Sequence, residues 1–265
     1  MADIIKVGIE AARSAGAYLL DNFGKEQRVH VKGDRNLVTD VDLNAQKLII
    51  DIIDAHFPGH GIIAEEGASR LPQAEYLWII DPLDGTHNYI RNVAVFGVSI
   101  GILRRGSYVG GVIYMPSEGG ELYVAEQGNG AYKNDKRISV SASADLAACS
   151  VSFDSGIRHD PGTMLPVLGL LADRAFNVRM FGSSARALSY LAEGKIDIAV
   201  EFKDQPWDCA AGICLIEQAG GKVTDLSGGV MAYTTIGYIA TNGRTHEKVL
   251  DIVRNTSYKG EPRGI

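Results

Sequence analysis

Residues 77–86 read Leu77-Trp78-Ile79-Ile80-Asp81-Pro82-Leu83-Asp84-Gly85-Thr86. The apolar run 77–80 predicts a buried strand, and Asp81 stands at its end, where a fold does not ordinarily place a carboxylate. Pro82 fixes the chain direction and removes a backbone donor, while Gly85 lets backbone or ligand approach closely. The expected result is a rigid turn in which Asp81, Asp84 and the free carbonyl of Leu83 face one point. Such a set of hard oxygen donors suits Mg2+. Gly85 and Thr86 precede a helix start, where exposed amides would cradle a phosphate beside that metal. The same residues also describe an ordinary turn whose aspartates cap a short helix.

Working outward toward the N-terminus, the strand Ile62-Ile63-Ala64 ends in the acidic pair Glu65-Glu66. Apolar residues at helical spacing predict one helix from residue 3 to about 23, stopped by Gly24, and a second from Thr39 to just before Pro58. A short strand is expected between them, near residues 28–32. Thr39 and Asp42 form a T-x-x-D capping pattern, so Asp42 reads first as a cap. From residue 62 to 140, β-branched and aromatic runs alternate with glycine turns at 105–107 and 117–120, which predicts a mostly antiparallel sheet.

From about residue 145 strands and helices alternate, the mark of an α/β lobe. Its strands are CSVSF, FNVRM and IDIAVE, with helices over 164–171, 185–193 and from Asp208 onward. Asp208 opens Trp207-Asp208-Cys209-Ala210-Ala211-Gly212, where an N-cap is again the plain reading. The expected organisation is an N-terminal α+β lobe, 1–144, and a C-terminal α/β lobe, 145–265, with the site in the cleft between them.

Composition narrows the function. Hydrophobic residues at 46% and charged residues at 22% of 265 describe a folded globular chain. A net charge of −6 without a basic run argues against a nucleic-acid groove. The first 21 residues lack the apolar core of a signal peptide, and no run reaches the roughly 20 apolar residues of a membrane span, so the expected location is the cytoplasm. Cys149, Cys209 and Cys214 lack disulfide or zinc spacing and read as small buried hydrophobes.

Taken together, the segments 81–86 and 207–212, the pair Glu65-Glu66 and the stretch Asn36-Leu37-Val38-Thr39-Asp40-Val41-Asp42 resemble the inositol monophosphatase family of lithium-sensitive phosphatases, in order and approximate separation. The resemblance implies a layered α/β/α/β/α sandwich of the sugar-phosphatase type, usually a homodimer, with two or three Mg2+ ions per site. It implies Glu65, Asp81 and the Leu83 carbonyl as ligands of a first Mg2+. Asp84 and Asp208 would hold a second, with Asp81 shared and Glu66 a supporting neighbour. Thr86 and Asp42 match the pair that orients and deprotonates the attacking water, so Asp42 would be more than a cap. The amides of Gly85 and Thr86 would hold phosphate. Glu201 would bind substrate hydroxyls, in a pocket lined by Gly182, Ser183 and Ser184. Ala64, His87 and Arg186 depart from the common pattern, and Arg186 is a candidate specificity residue able to hold a second phosphate or a carboxylate.

The implied chemistry is in-line attack of water on a phosphate ester, stabilised at both ends by metal and without a phosphoenzyme. A dehalogenase-type phosphatase spaces its aspartates two apart, whereas Asp84 follows Asp81 by three, which favours metal binding over covalent catalysis. The expected substrate is inositol 1-phosphate. Alternatives are fructose-1,6-bisphosphatase, histidinol-phosphatase or nucleotide 3',5'-bisphosphate phosphatase activity, and, in another class, a non-catalytic metal-binding partner protein.

Overall fold

Helix α1 (Ala2–Asn22) buries Ile4, Ile5, Ala11, Ala12, Ala15 and Leu19, the stripe that its sequence spacing marks out. After a two-stranded antiparallel hairpin, β1 (Val29–Gly33) and β2 (Asn36–Thr39), the chain enters α2 (Asp40–His56). The Thr39 side chain accepts from the amide of Val41 at 3.1 Å, and α2 buries Val41, Ala45, Ile49 and Ile53. This computed structural model describes residues 2–26, 28–33 and 36–257; expectations touching Met1 and residues 258–265 lie outside the described residues.

An eight-stranded sheet follows. Its strands are β3 (Gly61–Ala64), β4 (Ser69–Arg70), β5 (Tyr76–Asp84), β6 (Gly97–Arg104), β7 (Ser107–Met115), β8 (Glu121–Glu126), β9 (Gly130–Lys133) and β10 (Lys136–Ile138), with α3 (Thr86–Ile90) between β5 and β6. The order is β10-β9-β8-β7-β6-β5-β3-β4, antiparallel except for the parallel pair β3–β5. Between β6 and β7, Arg105 and Gly106 both adopt positive φ, 50° and 82°, as a two-residue primed hairpin turn requires.

One local expectation changes. The strand does not stop at Asp81 but runs on to Asp84, with Asp81 opposite Ser99 and Asp84 opposite Gly97. Between these pairs two residues on β5, Pro82 and Leu83, stand opposite one on β6, Val98, which is a bulge. In a regular strand residues three apart point to opposite faces. The inserted residue cancels that alternation and turns both aspartates to one side.

The second half forms a five-stranded sheet, ordered β12-β11-β13-β15-β14. Its elements are β11 (Ser150–Phe153), α4 (Pro161–Arg174), β12 (Asn177–Arg179), α5 (Ser184–Ala192), β13 (Ile198–Glu201), α6 (Pro206–Gln218), β14 (Lys222–Thr224), β15 (Tyr238–Thr241) and α7 (His246–Ser257). Strand β11 runs parallel to β12 and β13, whereas β15 is antiparallel to both β13 and β14. Helices α1 and α2 cover the outer face of the first sheet, α5 and α6 fill the space between the sheets, and α4 and α7 pack together on the far side. That is the α/β/α/β/α layering expected from the resemblance.

Helix α6 belongs in sequence to the second half yet lies directly on β6 and β7. A Cβ on Gly101 would sit 2.4 Å from Cβ of Ala210, and one on Gly111 would sit 2.3 Å from the Ala211 carbonyl oxygen. Only bare backbone at both positions permits this approach. The Ser99 hydroxyl donates to the Trp207 carbonyl at 3.3 Å, which pins the first turn of α6 beside the bulge of β5. All three cysteines are buried and free.

Candidate active site

The cleft is lined from the first half by Glu65, Asp81, Leu83, Asp84, Gly85, Thr86 and His87, and from the second by Gly182, Ser183, Ser184, Glu201 and Asp208, among others. Strand ends, the N-terminus of α5 and the first turn of α6 thus meet at one opening.

At its base, Asp81, Asp84 and Asp208 bring carboxylate oxygens within 4.8 Å of one another. Asp81 accepts from the Leu83 amide at 3.0 Å. Asp84 is held across the cleft by the N-terminus of α5: the amides of Ser184 and Ala185 donate to its Oδ2 at 3.0 and 3.1 Å, and the Ser183 hydroxyl donates to Oδ1. Asp208 accepts from the Gln205 amide at 2.6 Å. Burial pushes Asp81 well above the usual carboxylate range, and the charges of Glu65, Asp84 and Asp208 add to it. Burial also raises Asp84 to about 6, against the opposing pull of its three α5 donors and of Arg186. Asp208 is raised well above its ordinary value by burial, then by Asp204 and Glu65. Desolvated like charges so close together need a compensating cation, and an all-oxygen donor set fits a hard divalent one.

Beside this cluster the Thr86 hydroxyl lies 3.1 Å from Oδ1 of Asp42 and 3.0 Å from the Leu83 carbonyl. Oδ2 of Asp42 accepts from both the amide and the hydroxyl of Thr39, at 2.9 and 2.5 Å. Asp42 is therefore a helix cap and the partner of Thr86 at once. The Leu83 carbonyl, expected to be free, already faces a hydroxyl. Gly85 adopts φ 87°, and a side chain there would press against the Val95 carbonyl at 2.8 Å. Glu66 does not line the cleft; its amide donates to Gln46 at 2.9 Å, tying the loop after β3 to α2.

Arg186 requires a correction. It is 1% exposed, its guanidinium donates to Glu121 at 2.9 Å and lies 4.4 Å from the Tyr190 ring centroid, and it is not among the residues that line the cleft. The residue fixes α5 to β8 rather than facing substrate, because its position in the first turn turns its side chain toward the neighbouring sheet.

Several residues of the cleft escaped the sequence reading. Asn88 donates to the carbonyls of Phe181 and Gly182 at 2.8 and 3.2 Å, anchoring the loop before α5. Asp154 and Asp204 both line the opening. Asp204 accepts from the Ser184 hydroxyl at 2.5 Å and is raised to about 7, mainly by burial. Nothing local distinguishes either aspartate from an ordinary loop residue; only the tertiary meeting of β11, β13 and α5 does.

A layered sandwich with convergent carboxylates at its cleft defines a metal-dependent phosphatase class. The sequence model of the inositol monophosphatase family matches residues 1–258. The inositol-1-monophosphatase of Mesorhizobium japonicum is 36% identical over 232 residues, which cover 85% of this chain and 86% of that protein. The fructose-1,6-bisphosphatase/inositol-1-monophosphatase of Thermotoga maritima is 34% identical over 252 residues, 95% of this chain and 96% of its own. The crystal structure of the extragenic suppressor protein suhB of Bartonella henselae superposes with a TM-score of 0.90 at 34% identity, covering 98% of this chain and all (100%) of that one. The chain belongs to the inositol monophosphatase family, and it is a phosphoric monoester hydrolase acting on small phosphorylated substrates. Among the described residues, no helix is long and apolar enough to cross a membrane.

Proposed function

We propose that the chain releases phosphate from inositol 1-phosphate in a Mg2+-dependent hydrolysis, with attack by water and no phosphoenzyme. The observation that carries this reading is the convergence of Asp81, Asp84 and Asp208 from the two halves of the molecule beside the Thr86–Asp42 pair. Glu65, Asp81 and the Leu83 carbonyl would hold one Mg2+, and Asp84, Asp208 and the shared Asp81 a second. When bound, the metal ions supply Lewis-acid polarisation of the phosphoryl group and lower the pKa of water.

The remaining work falls to this chain's own groups. Thr86, at the cleft, orients the attacking water through its hydroxyl. Asp42 is fully buried and acts through Thr86, drawing on an oxygen whose proton affinity burial has raised. The amides of Gly85 and Thr86 hold the phosphate, and Glu201, with Gly182, Ser183 and Ser184, receives the hydroxyls of the leaving alcohol. With Arg186 buried against Glu121, the argument that favoured fructose 1,6-bisphosphate loses its residue.

The test is phosphate release, with Mg2+, from inositol 1-phosphate, fructose 1,6-bisphosphate, histidinol phosphate and a nucleoside 3',5'-bisphosphate. The highest kcat/KM is expected for inositol 1-phosphate. Preference for another member overturns the substrate, and release from none overturns the reading.

A further inference from the structure

The cleft is lined by more carboxylates than the two cations proposed at its base would engage. Beyond Glu65, Asp81, Asp84 and Asp208, it is also lined by Asp154, Glu201 and Asp204, with Ser184 bridging Asp84 and Asp204, and no described Lys or Arg is among its lining residues. Asp154, 6% exposed, is held by the amides of Phe202 and Gly156 at 3.0 and 2.6 Å. Asp204 is held by the Ser184 hydroxyl. Glu201 is 8% exposed and faces the opening, and no hydrogen bond to its carboxylate comes from any described residue. Its oxygens are therefore left to whatever enters.

Asp154, Glu201 and Asp204 do not converge as a further cation site. Among the described residues, the only acidic group with three ligand atoms within 4.8 Å of one another is Asp81, Asp84 and Asp208. A desolvated carboxylate without a donor is costly, and burial together with the charges of Asp204 and Asp154 pushes Glu201 well above the usual carboxylate range, so it holds a proton unless a donor on a bound molecule takes that proton's place. On the reading of the cleft proposed above, the group that meets Glu201 is the alcohol that leaves.

We propose that Asp204, held by Ser184, is a specificity-determining residue that works with Glu201 and Asp154 as a charge filter. The filter admits phosphate monoesters whose alcohol presents hydroxyl or ammonium donors and rejects those whose alcohol carries a second anion. It rests on the reading of the cleft as the phosphatase site and deepens it, adding Asp204 and Asp154 to the residues that read the substrate. A bisphosphate would bring its second phosphate against three carboxylates with no Lys or Arg among the described residues that line the cleft, and like charges in a partly desolvated cleft repel strongly.

A matched series tests the filter: 2-hydroxyethyl phosphate, phosphoethanolamine and 2-phosphoglycolate, which differ in a hydroxyl, an ammonium or a carboxylate at one end. Wild type and Asp204→Asn are compared by kcat/KM with Mg2+ at about pH 8, with Asp204→Glu as the conservative control. In wild type the neutral and cationic esters are expected to exceed the anionic one by at least about tenfold. Asp204→Asn narrows that gap by about tenfold, chiefly through KM for the anionic ester, and Asp204→Glu restores it. A flat wild-type series overturns the proposal. So does a loss shared equally by all three esters in Asp204→Asn, the signature of a merely structural aspartate. Inositol 1-phosphate measured alongside separates the two claims: turnover no better than 2-hydroxyethyl phosphate removes the proposed substrate, whereas the filter stands or falls on the matched series.

Discussion

Helices α2 and α6 open in the same way and end with different roles. Each carries an aspartate at the third helical position whose Oδ2 accepts the amide of the residue before the helix, Thr39 in one case and Gln205 in the other. At α2 both oxygens of Asp42 are taken up by the protein, Oδ2 by Thr39 and Oδ1 by Thr86. At α6 one oxygen of Asp208 serves the cap, and the carboxylate also reaches the ligand atoms of Asp81 and Asp84. A capping pattern therefore does not decide between structure and chemistry. The partner of the second oxygen does.

Replacing each aspartate by asparagine sharpens the contrast, because the two changes should move stability in opposite directions. Asp208→Asn is expected to lower kcat/KM on the order of a thousandfold, as loss of an electrostatic contact to the developing charge does. Its cation-free thermal midpoint should nevertheless rise, since one of several crowded like charges is gone. Asp42→Asn is expected to lower kcat by about a hundredfold. It should destabilise the fold by about 1–2 kcal/mol with or without Mg2+, because a cap and a buried hydrogen bond are lost. Parallel shifts in thermal unfolding for the two variants would erase the distinction.

The pH dependence separates the regions further. Asp84 is raised to about 6 in the folded chain from an ordinary 3.8. Without a cation, the folded state retains a proton that the unfolded state has already lost between those values. Stability therefore falls as pH rises through that window, and the full penalty is present above about 6. A cation removes this penalty but must displace the proton at lower pH. The Mg2+-induced rise in melting temperature should accordingly be larger at about pH 8 than at about pH 5. A rise independent of pH would place the cation elsewhere.

The smallest effects concern the caps alone. At α2 the Thr39 side chain accepts from Val41, so Thr39→Ala should cost about 1 kcal/mol in denaturant unfolding. At α6 the Gln205 amide group donates to the Lys203 carbonyl at 3.2 Å and the short bond at the helix start is the one Asp208 accepts from the Gln205 amide, which Gln205→Ala retains, so that change should cost a few tenths at most.

Much of this was legible along the chain because it is local. Periodicity marked α1 and α2, turn chemistry marked Arg105-Gly106, and the spacing of Asp81 and Asp84 pointed to metal. Yet the device that aligns those aspartates, a bulge opposite β6, depends on a partner strand that sequence does not display. The same holds for Gly101 and Gly111, whose reason for being glycine is the backbone of α6, about 100 residues downstream. Arg186 read as a substrate contact since it follows Ser183-Ser184 with only Ala185 between, but a helix turns successive residues by roughly 100°. That rotation carries its guanidinium to Glu121. Asp204 offered no signal at all, being one charged residue in the loop after β13.

The central claim is that the two halves of the chain jointly hold a divalent cation at Asp81, Asp84 and Asp208. Anomalous scattering from crystals soaked in Mn2+, an ion the enzyme would accept in place of Mg2+, tests it most directly. The account predicts a manganese peak within coordination distance of all three carboxylates. Manganese bound only elsewhere, in crystals of an enzyme that hydrolyses phosphate esters with that ion, would contradict it.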